Sequence, residues 1–236
     1  MTRARLFAAA SLAGAAALIG TVSASAAVRP SPAAHTAGAA KAAMHTHAVP
    51  VPPGARPVRP PRPGTGLRHL ASRLPADISG DTIGCSDQNS FRSTANLLWV
   101  SAELGDAGND YGMLRARNGT IGAWEQFAFC FDYTNSFWFI ESDANGLYVS
   151  AELGDAGNQN GMLRARASSV GSWEQYTLFC TASDTLVIGS DANSLYVSAE
   201  LGDAGNDYGM LRARASSVGP WEQFQTSNSL TGTTGC

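Results

Sequence analysis

The sequence predicts an all-β domain with pseudo-threefold symmetry, and three observations carry that expectation. Three near-copies of a thirty-residue block span 98–127, 147–176 and 195–224; the second and third agree at 26 of 30 positions and the first and third at 24. The copies start 49 and 48 residues apart, so one structural unit is built several times and buries its apolar face against its neighbours. Within each copy, apolar and polar residues alternate with the period of a half-buried strand.

In the second copy Leu147, Val149, Ala151 and Leu153 alternate with Tyr148, Ser150 and Glu152, which defines a strand with one apolar face. Glycine and polar residues from 154 to 161 break the pattern. Alternation resumes over 162–167, with Leu163, Ala165 and Ala167 expected inward and Arg164 and Arg166 outward. The two strands make a hairpin with an eight- or nine-residue loop. Registers that keep the apolar faces together place Glu152 opposite or diagonal to Arg164, and Arg166 near Ser150 or Tyr148; such pairs contribute roughly 0.2–1 kcal/mol each. Arg115, Arg117, Arg212 and Arg214 repeat the arrangement beside Glu103 and Glu200, so these arginines are expected to neutralise the carboxylates.

A turn at 168–171 follows, and then Trp173 and Tyr176, repeated as Trp124 with Phe127 and Trp221 with Phe224. Large aromatics three apart are expected to be core anchors, because each buries so much area. A further strand precedes each hairpin, over 138–142 before Asp143-Ala144-Asn145 and over 186–190 before Asp191-Ala192-Asn193, with 93–96 as a degenerate first copy of the turn. Four strands per unit make twelve. Three units are too few for a propeller, whereas a barrel capped by hairpins leaves no open edge. The expected fold is a β-trefoil of three four-stranded repeats, at about 85–132, 133–182 and 183–236, in a domain spanning 81–236. That length, about 155 residues, suffices for one autonomous core.

The segments Leu-Tyr-Val-Ser-Ala-Glu (195–200), Gly-Met-Leu-Arg-Ala-Arg-Ala (209–215) and Val-Gly-Pro-Trp-Glu-Gln-Phe (218–224) resemble the repeat of fascin-like β-trefoils, the actin-crosslinking superfamily. The resemblance covers all three repeats. It implies a trefoil with a non-catalytic binding role. Actin bundling does not carry over, because fascins stack several trefoils in the cytoplasm whereas this sequence shows one trefoil behind an export signal. Ricin-type lectin trefoils carry a Gln-x-Trp element that is absent here, so their sugar-binding residues do not transfer.

Ahead of the repeats, Arg3 and Arg5 precede an apolar run over 6–19 and the small residues Ala24-Ser25-Ala26. This is the pattern of a cleaved export signal over 1–26, too short to be a spanning helix, and it implies a secreted, extracellular protein. Residues 27–80 are rich in Ala and Pro and hold all four histidines (His35, His45, His47, His69) with seven cations against Asp77. They read as a disordered basic linker or pro-segment, in which His45 and His47 lack the groups that orient metal-binding rings. From Gly80 onward the balance reverses to seven Arg and 18 Asp plus Glu, a formal net charge of −11. Such a domain does not suit phosphate backbones, so no nucleic-acid partner is expected.

Four cysteines in an exported chain imply two disulfides. Three pairings are possible. Cys130 with Cys180 is favoured because they follow the equivalent Trp124 and Trp173 by six and seven residues, and Cys85 with Cys236 because they bracket the domain.

The domain contains no histidine and no lysine, which removes the bases that activate a serine or cysteine nucleophile. Its carboxylates recur threefold, whereas an acid–base pair needs two different environments. A non-catalytic module without cofactor or metal is therefore expected. Binding groups are sought on the hairpin loops, where a rigid scaffold commonly presents them. Each loop reads Gly-Asp-Ala-Gly-Asn followed by a variable pair: Asp110-Tyr111, Gln159-Asn160 or Asp207-Tyr208. A carboxylate, an amide and an aromatic face suit a sugar, so the candidate ligand residues are Asp106, Asn109, Asp110, Tyr111, Asp203, Asn206, Asp207 and Tyr208. The bland alternative is that Asp106, Asp155 and Asp203 only cap loop amides. A calcium site lacks the required Asp spacing and terminal Glu. The expected partner of this monomeric module is an extracellular glycan; the alternative is a surface protein, as for a protease inhibitor or cell-surface interaction module.

Overall fold

A computed structural model of the protein describes residues 48–67, 82–230 and 236. The expected export signal and all four histidines lie outside the described residues. Among the described residues, fourteen strands form one sheet system. A short strand β1 (Arg56–Pro57) precedes β2 (Ile83–Asn89), β3 (Phe91–Ser93), β4 (Trp99–Glu103), β5 (Met113–Asn118) and β6 (Phe127–Asp132) of the first repeat. The second repeat supplies β7 (Phe137–Ser142), β8 (Leu147–Glu152), β9 (Met162–Ala167) and β10 (Tyr176–Cys180). The third supplies β11 (Leu186–Ser190), β12 (Leu195–Glu200), β13 (Met210–Ala215) and β14 (Phe224–Thr226).

The first and last strands of the repeats close a barrel: β2 pairs with β6, β6 with β7, β7 with β10, β10 with β11, β11 with β14 and β14 with β3. Because β2 and β3 are one strand interrupted at Ser90, the ring is complete, and the protein is a β-trefoil. The core is filled from each repeat by an aromatic or branched residue. Phe91 meets Phe127, Phe129 and Phe224 edge to face at 5.2, 5.5 and 5.6 Å, with Tyr176, Leu163 and Leu211 buried in the same cluster.

The hairpins β4/β5, β8/β9 and β12/β13 cap one end. Their register is the diagonal alternative: Glu152 faces Met162 and Ser150 faces Arg164, leaving a nine-residue loop. A bulge after Tyr148 shifts the last pair, so Ala167 packs in a separate outer cluster with Tyr148 and Phe139 instead of facing the core. On the threefold axis Met113, Met162 and Met210 form their own buried cluster. Each hairpin leans on the next. Ala165, Ala213 and Ala116 donate their N–H groups at 2.7 Å to the carbonyls of Gly112, Gly161 and Gly209. Gly161 has φ +80°, and a Cβ there would lie 2.8 Å from the Ala213 carbonyl oxygen, so the contact requires glycine.

Three expectations are corrected. The disulfides join Cys85 to Cys130 and Cys180 to Cys236, not Cys130 to Cys180 and Cys85 to Cys236. Cys85 and Cys130 face each other directly across β2 and β6. Cys130 lies three residues after Phe127 and Cys180 four after the equivalent Tyr176, so they face opposite sides of their strands, Cys130 in an outer cluster and Cys180 in the main core.

The tryptophans are not core anchors: Trp124 is 41% and Trp221 38% exposed. Short 3₁₀ turns (Ala123–Glu125, Ser172–Glu174, Pro220–Glu222) turn the indole outward and the glutamate inward. The aromatic that follows each turn, Phe127, Tyr176 or Phe224, is the one that enters the core.

The segment read as disordered linker is ordered over 48–67, as a strap along the trefoil. Its β1 runs antiparallel to β10, the Val58 N–H donates to the Leu178 carbonyl at 2.9 Å, and Val58 enters the main core cluster. Tyr196 and Tyr133 donate their hydroxyls to the Pro50 and Pro61 carbonyls at 2.5 and 2.7 Å. The strap is apolar where it touches, through Val49 and Val58, and its prolines need no ladder partner for the missing N–H.

Candidate functional site

The loops between the hairpin strands gather around the threefold axis at the capped end, and buried arginines hold them there. Arg164 donates from Nε and Nη2 to the Tyr111 carbonyl at 3.1 Å and from Nη2 to the Gly108 carbonyl at 3.2 Å. Arg212 donates to the Asn160 carbonyl, and Arg115 to the Asn206 carbonyl at 2.6 Å. Each arginine thus clamps the loop of the preceding repeat around the ring. Burial is the main reason that the Arg164 and Arg212 guanidiniums are held below their ordinary pKa, with the Arg166 and Arg214 charges adding to it; both remain cationic.

Forked pairing with the buried carboxylates falls to the arginine two residues further along, not to Arg164, which the expected registers set opposite or diagonal to Glu152. Arg117, Arg166 and Arg214 form two-pronged ion pairs with the buried Glu103, Glu152 and Glu200. Such forked pairs fix geometry as well as charge. The hydrogen bond to Glu152 is the main cause that raises the Arg166 pKa, and Glu200 does the same for Arg214. The first arginine of each pair was expected outward and is buried instead, because its solvent face is covered by a neighbouring loop that appears only on assembly.

The predicted ligand residues divide into two sets. Asp106 is tied down, its Oδ2 3.0 Å from Arg115 Nη2, so it contacts a side chain instead of capping amides. Its counterpart Asp203 is half-buried, with Oδ2 accepting no protein hydrogen bond among the described residues. Asn109 and Asn206 are exposed on the 3₁₀ turns Gly108–Asp110 and Gly205–Asp207. Asp110 Oδ1 accepts from Gln159 Nε2 of the second loop at 3.4 Å, and Asp207 holds the equivalent place in the third. Tyr111 and Tyr208 are 36% and 38% exposed. The second loop closes on itself instead, its Asn160 amide donating to the Leu153 and Asp155 carbonyls at 2.8 and 3.0 Å. Two of the three loops therefore present an exposed tyrosine, amide and carboxylate on a backbone fixed from behind.

Sequence reasoning missed the tryptophans as surface groups. A Cβ on Gly105 or Gly154 would lie 3.2 Å from Trp124 or Trp173 Cη2, and one on Gly202 3.4 Å from Trp221 Cη2. Each indole thus rests one edge on a glycine of its own hairpin. The internal recurrence of that glycine was the available signal. Behind each ring a glutamate is anchored: Glu125, Glu174 and Glu222 accept from the Gly122, Gly171 and Gly219 N–H groups at 2.7 Å. Burial raises the Glu174 pKa above its ordinary value, against the lowering effect of hydrogen bonds from Ser150 and Gly171.

Among the described residues no cysteine is free, no group of three His, Cys, Asp or Glu gathers to hold a metal, and no helix is long and apolar enough to cross a membrane.

No protein-family model matches the chain, and no curated protein matches it. Among solved structures it is similar to a designed threefold-symmetric protein, ThreeFoil, at 11% identity and a TM-score of 0.49, over 59% of this chain and 97% of that one. It is also similar to the Macrolepiota procera ricin B-like lectin in complex with lactose (14% identity, TM-score 0.45, 60% and 95% covered). A third is the Rhizoctonia solani agglutinin (12% identity, TM-score 0.44, 60% and 94% covered).

Proposed function

We propose that the chain is a secreted, non-catalytic binding module that recognises extracellular glycan through weak, repeated hairpin-loop sites. The observation that carries this reading is the pair of loops whose exposed Tyr111 and Tyr208 stand beside exposed Asn109 and Asn206 and half-exposed Asp110 and Asp207. Their backbones are fixed by the Arg164 and Arg115 clamps. A fixed loop loses little conformational entropy on binding. An aromatic face with neighbouring acceptors offers both an apolar surface and hydrogen bonds for a pyranose. The two disulfides of the described chain suit the oxidising surroundings of an exported protein. The proposal includes export directed by residues 1–26, kinship with single fascin-like trefoils, and action as a monomer whose avidity comes from several weak sites.

A glycan array probed with the full chain lacking residues 1–26 tests it, with the Tyr111→Ala/Tyr208→Ala variant alongside. The expected result is a hit that falls by about tenfold in the variant, corresponding to about 1.4 kcal/mol. Altering Asn160 in the second loop is expected to leave the hit unchanged. A bare array together with a protein recovered by pulldown overturns the glycan reading in favour of a protein-binding trefoil.

A further inference from the structure

We propose a second set of carbohydrate sites on the outer wall of the trefoil, where the exposed Trp124 and Trp221, and the half-buried Trp173 in the equivalent place, stack on neutral pyranose rings. In the third repeat a hollow of about 400 Å³ opens beside Trp221, bordered by Arg214, Ser198, Ser216, Ser217 and Glu222. The indole rests its edge on Gly202 and is 38% exposed. The same glycine, tryptophan and glutamate recur in all three copies, with Gly105 under Trp124 and Gly154 under Trp173. Trp124 and Trp221 keep an exposed ring that a flat apolar ligand can cover, and Trp173 is half-buried in the equivalent place. The 3₁₀ turn and the buried glutamate behind each ring hold it in place, so stacking needs no rearrangement.

The surroundings select the class of ligand. Each ring lies in a different repeat, and Ser198, Ser216 and Ser217 border the one in the third. That offers one sugar's worth of apolar surface, not the contiguous area of about 1,000 Å² that a stable protein interface needs. The half-exposed Arg214 is neutralised by buried Glu200, and Glu222 adds a further negative charge to the wall. Uronic and sialic acids are therefore disfavoured, and a neutral pyranose with an apolar C–H face fits. The inference shares the ligand class of the proposed function but uses different residues, on the side wall instead of the capped end.

The experiment titrates the full chain lacking residues 1–26 with laminarin, hydroxyethyl cellulose and galactomannan, and with polygalacturonate as the acidic control. Indole emission and affinity electrophoresis are the readouts. Trp138 is buried in the core and Trp99 is half-buried beneath Arg92, so the Trp variants assign any emission shift to the wall rings. The expected result is a blue shift with one neutral probe and little effect of polygalacturonate. Single Trp→Ala changes should weaken binding about threefold to tenfold through lost avidity, and Trp124→Ala/Trp173→Ala/Trp221→Ala should abolish it. The triple Trp→Tyr variant, which keeps a ring on each glycine, should retain part of the affinity and guards against a folding defect.

Binding that survives in the triple alanine variant but is lost in Tyr111→Ala/Tyr208→Ala overturns the wall sites and leaves the loop reading standing. The converse pattern supports the wall sites and overturns the loop reading. A failure of every neutral probe, a preference for polygalacturonate, or an emission shift that follows protein concentration alone overturns the inference; the last would assign the rings to a contact between copies of the chain.

Discussion

The strap of residues 48–67 is held by contacts specific enough to be tested by a double-mutant cycle. Gly189 lies in β11, and a Cβ there would collide with Val49 Cγ1 and stand 3.0 and 3.1 Å from Val49 Cγ2 and Cβ. Val49 is itself buried, packed with Phe179, Val187 and Tyr196. Gly189→Ala alone overpacks this contact and is expected to destabilise by about 1–3 kcal/mol. Val49→Ala removes two buried methyl groups, at about 0.8 kcal/mol each plus a cavity term, giving about 2 kcal/mol. In the double variant the new methyl occupies space vacated by valine, so the total cost should fall short of the sum by about 1–2 kcal/mol. Urea midpoints at unchanged m-value measure all three differences. Agreement of the double variant with the sum of the singles to within about 0.5 kcal/mol would refute the seating of the strap on β11. Gly84→Ala is the companion measurement. Its Cβ would meet the backbone oxygens of Pro61 and Arg62, the latter at 2.5 Å, and a carbonyl in a docked strap cannot turn aside as a side-chain tip can.

Two further outcomes follow from the charges. Glu103 faces both Arg117 and the buried Arg115, whereas Glu200 pairs with the half-exposed Arg214. Glu103→Gln should therefore cost more stability than Glu200→Gln, about 3–5 kcal/mol for a buried charge left short of its partner, and thermal melts with equal shifts would count against the difference. Burial raises the folded-state pKa of Glu174 and of Asp191 above their ordinary values of 4.5 and 3.8. The folded state then binds more protons than the unfolded one, so their contribution is present below those values and is lost as pH rises through the raised pKa. The Glu174→Gln/Asp191→Asn variant should gain stability relative to the parent as pH rises through that window. A gap between the two urea midpoints that stays constant with pH would contradict the assignment.

The closed trefoil, its hairpins and its loops were legible because they rest on local patterns. Alternation at Leu147, Val149 and Ala151 specifies a strand wherever it sits, and the Asp-Ala-Asn turns act within their own hairpin. Asn145 donates to the Ala165 carbonyl at 2.9 Å and accepts from the Leu147 N–H at 3.0 Å, a bond within one copy. That the hairpin arginines neutralise the carboxylates was anticipated, but the partner was not: the expected registers set Glu152 opposite or diagonal to Arg164, whereas the forked pair forms with Arg166. The candidate loop residues were located by the same logic, although the exposure of Tyr111 and the engagement of Asp106 by Arg115 were not.

What the tertiary structure alone decided involves surfaces that different copies, or distant segments, create for one another. Arg115, Arg164 and Arg212 become buried clamps only when a neighbouring loop is laid over them. Cys85 finds Cys130 because the first and fourth strands of its repeat are adjacent in the barrel, whereas the one-residue offset between Cys130 and Cys180 turns the two to opposite strand faces. Composition described the Pro-rich strap as solvated chain, since its few apolar residues, Val49 and Val58, have no core of their own. They are buried because the wall of the finished barrel, opened by Gly84 and Gly189, offers them one. The tryptophans face outward for a related reason: the same spacing that brings Phe127 into the core passes first through a 3₁₀ turn, and that turn swings Trp124 onto Gly105 of the hairpin.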